Sequence, residues 1–259
     1  MEWLTQHLPG LMLYFCRITS FLVVSPVFSA HNVPAPFKIG LACFTAFIAY
    51  FAYGAATPVT IDEQYFPYVI REVLVGIALG FVAYLFFTVV QIAGAFIDIQ
   101  LGFGIANVID PLTGAQSPVL GNFKYVIALL LFFAFNGHHM LLRGIIDSYE
   151  WIPLTNELFA LMYGGQLSEF FIKSFGEVFA LAFQMAAPIV ISLFLTDLGL
   201  GLLARVAPQF NIFVIGLPLK ILLGFAVLLF IFPGFESLFR NLFNEMFETM
   251  EQFFGLFAN

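Results

Sequence analysis

Charged residues punctuate this chain at wide intervals, and the gaps between them are filled with Phe, Leu, Val and Ile. No charge occurs between Lys38 and Asp62, Glu72 and Asp98, Lys124 and Arg143, or Glu177 and Asp197. A membrane-crossing helix needs about 20 mostly apolar residues, and each gap holds one. Two further apolar stretches carry a single cation each, Arg17 in 8–27 and Lys220 in 211–232. The pattern predicts long helices near 8–29, 38–54, 68–97, 122–147, 170–200 and 210–232. Backbone in lipid must bond to itself, so helices are the expected element. A last helix follows over 234–257. There Phe235, Leu238, Phe239, Leu242, Phe243, Met246, Phe247 and Met250 recur at three- and four-residue spacing, with acids on the opposite side. That acidic face suits neither lipid nor anionic headgroups. The stripe is therefore expected to pack on protein, and other subunits are the expected surface.

Finer patterns sit inside these helices. Gly76 and Gly80, four apart, admit a close neighbouring helix. "SPVFSAHNVPAPFKIGLA" from Ser25 and "APQFNIFVIGLPLKILLG" from Ala207 share a Pro-x-Phe, a Pro ten residues on and a Lys. They read either as a repeated unit or as a coincidence of low-diversity sequence. Lys and Arg are spread too evenly to orient the chain by loop charge.

Composition narrows the class. The chain has 259 residues, 61% hydrophobic and 10% charged, with 36 Phe and a mean hydropathy of +0.99. Soluble domains carry about 25% charge, so lipid or partner surfaces are the expected solvent. A net charge of −7 excludes a nucleic-acid face. Cys16 and Cys43, both in apolar runs, read as packing residues. The first residues lack a basic n-region and are expected to belong to the mature fold.

The candidate chemistry lies in two polar stretches. "DIQLGFGIANVIDPLTGAQSPV" follows a very apolar helix that carries Gln91, Asp98 and Gln100. Polar groups at such depth face a protein interior or a water-filled path. Gly102 and Gly104 free the backbone, while Asp110-Pro111 and Ser117-Pro118 break helix. The alternatives are a surface turn or a segment that is buried in protein or lines a cavity. "LGFG" lacks the Thr-Val of a potassium-channel filter, and "GFGIAN" lacks the lysine of a phosphate loop. The second stretch holds Asp197, Arg205, Pro208, Gln209, Asn211 and Lys220; Asp197 and Arg205, on one face of a helix, read as a clamp or partner contact ahead of a transport site. His138 and His139 are adjacent and point to different faces, a poor metal pair. No catalytic triad or metalloprotease pattern appears, and neither an enzyme nor a cofactor is expected.

Four stretches together carry a resemblance: "SPVFSAHNVPAPFKIGLA", "QIAGAFIDIQLGFGIANVIDPLTGAQSPVLG", "FFAFNGHHMLLRGIIDSY" with Pro153, and "DLGLGLLARVAPQFNIFVIGLPLK". In order and spacing they resemble the FliR family of flagellar biosynthetic proteins and its virulence type III secretion counterparts. The resemblance implies an all-α integral-membrane protein with kinked hairpins, a single export-gate domain over 1–259, assembling with FliP and FliQ in a helical cone to which FlhB attaches. It implies a non-enzymatic gate of the bacterial inner membrane, in the flagellar basal body, for unfolded flagellar proteins. It also implies that 98–121 plugs the pore, with Gly102, Phe103, Gly104, Ile105, Asn107, Ile109, Asp110 and Pro111 as the plug. Gln91, Asp98, Gln100, Asp197, Arg205, Pro208, Gln209, Asn211 and Lys220 are then the polar assembly residues. A small-solute transporter or ion channel, and an intramembrane enzyme, are the competing classes.

Overall fold

The computed structural model describes residues 2–30, 32–55, 59, 61–63, 65–103, 119–153, 157–209 and 211–257. It is all-α, with no strand among those residues. In chain order the helices are α1 (Glu2–Val24), α2 (Ala35–Ala49), α3 (Tyr65–Leu101), α4 (Val119–Ala134), α5 (Gly137–Trp151), α6 (Glu157–Tyr163), α7 (Gln166–Val206), α8 (Ile212–Ile231) and α9 (Phe235–Gly255). A π-helical turn, Tyr50–Gly54, extends α2, and a 3-10 turn, Phe232–Gly234, joins α8 to α9. Five described helices are long and apolar enough to cross a membrane, and the bent pair α4 and α5 makes a sixth candidate. At about 1.5 Å per residue, α3 and α7 run well beyond the ~30 Å of a hydrocarbon core.

Two of the expected elements differ from the pattern-based reading. The helix expected over 122–147 is two helices bent by 69°. The break lies at Asn136, whose φ of 58° places it in the left-handed region that a short amide side chain tolerates. Gly137 follows because a Cβ there would lie 2.3 Å from the Phe132 ring. The two sequence-similar segments also diverge. Pro36 lies in the first turn of α2, where a missing N–H is harmless, whereas Pro218 lies inside α8.

The chain divides into two compact units. The first comprises Met1–Phe86, Phe132–Phe175 and Phe243–Asn259. Here the helix admitted by the Gly76–Gly80 spacing is α1: a Cβ on Gly76 would lie 2.2 Å from the Arg17 carbonyl oxygen. Phe81 of α3 meets Phe171 and Phe175 of α7 edge-on, at 5.6 and 5.8 Å between ring centres. The part of the α9 stripe in this unit, from Phe243 on, is largely buried by its own chain, and Phe235, Phe239 and Leu242 are buried in the second unit, which corrects the expectation of a partner surface. Phe243 packs edge-on against Phe132 at 5.0 Å, Phe253 lies 5.5 Å from Phe170, and Met246 and Met250 are buried. An apolar stripe finds the nearest apolar surface, and the bend after α4 supplies one within the chain.

The centre of this unit is charged. The guanidinium of Arg17 (α1) is fully buried and uses all five of its N–H groups. It donates to both oxygens of Glu72 (α3), at 2.6 and 3.0 Å. It also donates to the Ser148 hydroxyl at 3.0 Å, the Ser148 carbonyl at 3.2 Å and the Ile152 carbonyl at 2.9 Å. Arg71 donates to Glu72 at 3.0 Å and to the Pro153 carbonyl. Tyr149 covers the Arg17 guanidinium at 4.0 Å and stacks on Tyr14 at 3.9 Å. Ser148, Ile152 and Pro153 mark the C-terminal end of α5, where the helix dipole is negative; the Ser148 carbonyl also accepts the Ile152 N–H at 2.8 Å, while Ile152 and Pro153 lie past the last helical residue. Two arginines from other helices cap it.

Replacing Arg17 by Ala removes the donor to the Ile152 carbonyl and strips Glu72 of its bidentate partner. The expected loss is about 3–5 kcal/mol, and Arg17→Lys restores only part of it because an ammonium lacks the planar fork. Thermal unfolding of the detergent-solubilised chain reads this. A loss no larger than that of an exposed pair, under about 1 kcal/mol, contradicts the capping role.

Candidate functional site

The second unit, Phe87–Leu131 and Gly176–Leu242, holds most of the polar residues singled out in the sequence. Its long helices pack through aromatic edges. Phe96 of α3 lies 6.2 and 6.3 Å from Phe179 and Phe183 of α7. At the end of α3 the backbone turns at Gly102, which has φ +88°. The Gly102 N–H donates to the Ile99 carbonyl at 3.1 Å, and the Phe103 N–H to the Asp98 carbonyl at 2.9 Å. This nested pair is the helix-ending arrangement that a left-handed glycine permits, and it satisfies two otherwise orphaned carbonyls.

Asp98 holds the other side of the same place. Its carboxylate, 5% exposed, accepts from the backbone N–H of Leu120 at 3.2 and 3.3 Å. Leu120 lies in the first turn of α4, where N–H groups lack intrahelical partners and a negative charge is favoured. An aspartate of one helix thus caps the next helix across 22 positions. The two backbones can approach because Gly94 faces Gly121; a Cβ on Gly94 would lie 2.1 Å from the Gly121 Cα. The described residues on either side of 104–118 are therefore held in one place, Phe103 by the turn at Gly102 and the start of α4 by Asp98. Lys124, buried in α4, directs its ammonium over the Phe235 ring at 5.6 Å.

A second polar contact lies where α3 ends. Gln100 donates through Nε2 to Asp197 of α7 at 2.9 Å, and Lys220 of α8 donates to the same carboxylate at 2.9 and 3.0 Å. Leu101 occupies a notch in α8, where a Cβ on Gly224 would lie 2.4 Å from its Cδ2. The carboxylate partner is thus Lys220, not Arg205. Eight residues along one helix separate Asp197 and Arg205 by about 12 Å, beyond the span of a short carboxylate side chain.

The structure brings together Asp98, Gln100, Gly102, Phe103, Asp197 and Lys220. Gln91, Arg205, Pro208, Gln209 and Asn211 are exposed in the same unit. The Asn211 carbonyl accepts the first N–H bonds of α8, from Val214 and Ile215. Gly104, Ile105, Asn107, Ile109, Asp110 and Pro111 lie outside the described residues. Sequence reasoning missed Glu72 and Arg71 and took Arg17 only as a blemish in an apolar span. A charge inside a span is itself the signal, since it requires a partner there. It also missed Gly94–Gly121, visible as small residues at the facing ends of two apolar helices.

Three substitutions test this geometry. Gly102→Ala is expected to cost about 1–2 kcal/mol from left-handed strain, with more from the Leu217 side chain, 2.9 Å from where the Cβ would stand. The Asp197 side chain is 41% exposed, so Lys220→Ala should cost about 1–2 kcal/mol, between an exposed and a buried pair. Adding Asp197→Ala should return part of that loss. Strictly additive losses in denaturation of the four proteins of that cycle would show that the pair is not coupled.

The chain is similar to known proteins along nearly its whole length. The family model for bacterial export proteins, family 1, matches residues 8–246. The flagellar biosynthetic protein FliR of Bacillus subtilis is 46% identical over 248 residues, covering 96% of this chain and 95% of its own. That of Escherichia coli is 32% identical, covering 95% and 94%. The Yop proteins translocation protein T of Yersinia pestis is 28% identical over 206 residues, covering 79% and 78%. With the family model matching residues 8–246, which span both the capped charge network and the root of segment 104–118, the chain belongs to the bacterial export proteins, family 1.

Proposed function

We propose that this chain is a non-enzymatic, membrane-embedded subunit of the flagellar type III export gate in the bacterial inner membrane. With FliP and FliQ it forms the channel for unfolded flagellar proteins, and FlhB attaches to the assembly. Membership of the export family and the names of the relatives support a role in the flagellar or type III export apparatus. The observation that carries the finer reading is the pinned root of segment 104–118. Asp98 caps α4 while Gly102 ends α3, so a glycine-, proline- and amide-bearing stretch leaves and re-enters one fixed place among apolar helices.

Within that reading, 102–118 closes the pore. Phe103, Ile105, Val108 and Ile109 offer apolar surface that gives ions no substitute for hydration; Leu101, at the root, is buried against α8. Arriving cargo opens it only by interacting differently with the closed and open states. The partner surfaces are drawn from the exposed apolar faces of α7 and α8, where Phe183, Leu195, Leu202, Leu222 and Phe230 are uncovered. Those faces bear too little charge for water.

Deleting about ten residues between Gly104 and Pro118 should make the assembled complex leak small ions without cargo, since the apolar barrier goes with them. Conductance of membranes carrying the deleted complex decides the matter. A complex that assembles fully and stays as tight as the parent reduces this segment to a structural turn. A purified chain that is stable alone, and further stabilised by a small solute, would favour a transporter instead.

A further inference from the structure

A groove of about 700 Å³ runs between α5 and α9 in the first unit. Its floor and walls are apolar: Met140, Gly144 and Trp151 from α5, and Phe247, Met250 and Phe254 from α9. Met140 and Trp151 are each 47% exposed, while Met250 is buried below them. Gly144 keeps the floor low, with Met250 Cε 3.5 Å from where a Cβ would stand. Methionine-lined floors adapt to differently shaped apolar side chains.

The rim is acidic. Asp147 and Glu251 line the groove, and Glu150 and Glu248 stand exposed within a turn of them. The lining cation is Arg143, which is bound to Asp147 at 3.3 Å. Among the described residues Glu251 has no ion-pair partner. Carboxylates in this position are costly against hydrocarbon and are repelled by anionic headgroups. The groove therefore calls for a protein occupant that brings positive charge to its rim and apolar side chains to its floor.

We infer that the α5–α9 groove seats an amphipathic helix of another protein, with apolar residues at i, i+3 or i+4, and i+7, and Lys or Arg flanking them. A helix satisfies its own backbone, so it enters an apolar groove without leaving orphaned N–H groups. A second copy of this chain does not fit. Its cations are widely scattered: even the closest two, Arg205 and Lys220, stand 15 positions apart. No single short helix of it presents a basic edge. The inference does not depend on the pore-closing role of segment 104–118.

Site-specific cross-linking in cells carrying the full export assembly tests this. A benzophenone side chain is placed at Met140, at the groove mouth, and the cross-linked peptide is identified by mass spectrometry. The expected product joins Met140 to a segment of a different protein with the stated apolar spacing and at least two Lys or Arg on its flanks. Adding Glu251→Lys should lower the yield about tenfold, since like charge at a rim suppresses encounter. Glu251→Gln should lower it less, and Glu236→Lys, at the opposite end of α9 and not among the lining residues, should leave it unchanged. Membrane levels of each variant confirm that the chain is made. A lipid adduct, a second copy of this chain, an acidic segment or no adduct overturns the inference. So does a yield indifferent to Glu251→Lys.

Discussion

The architecture depends on a charge held where no water reaches it. Arg17, Arg71 and Glu72 are all fully buried, and their formal charges sum to one unit of excess positive charge. The negative end of α5 opposes that excess. Helix C-terminal carbonyls carry about half a unit of negative charge, and Ser148, Ile152 and Pro153 present theirs to the two guanidinium groups. A buried ion pair alone is weak evidence of stability. Here its value is directional: each donor of Arg17 has one acceptor, so α1, α3 and α5 have one mutual register. Sliding any of them by a residue would orphan several buried polar groups at once.

The second unit spends its polar groups differently. Asp98, Gln100, Asp197 and Lys220 cluster around the end of α3 and the start of α4 rather than at the middle of a packed core. They fix where a segment begins and ends, while the outward faces of α7 and α8 stay apolar. Polar anchoring around the end of α3 and apolar outward faces thus occur side by side in one unit. The same logic separates the two amphipathic devices of the chain. The α9 stripe is consumed internally, whereas the groove it forms with α5 keeps its acidic rim open.

The helices were legible because lipid-compatible spans announce themselves by missing charge, as between Glu72 and Asp98. The membership of Gly102 in a turn was legible for the same kind of reason, since glycine alone takes a left-handed backbone freely. Partnerships were not. Asp197 and Arg205 share a helix, and one-dimensional spacing suggested a pair; the true partner, Lys220, comes from a helix whose approach no periodicity encodes. The bend at Asn136 was hidden because Asn and Gly within an apolar run are individually tolerated by helices. Only the Phe132 ring pressed against Gly137 makes the break obligatory. The internal burial of the α9 stripe escaped likewise: amphipathicity states that a face will be covered, not by whom.

One consequence of the root formed by Asp98 and Gly102 concerns how this chain can vary. Because the ends of segment 104–118 are held by groups outside it, its length is nearly decoupled from the frame. Loop-closure entropy grows only with the logarithm of length, so doubling the segment costs about 0.6 kcal/mol. Changes of length within 104–118 are thus expected to be tolerated better than changes to the helices that flank it. The tolerance ends abruptly at the two residues on which the entropy argument stands.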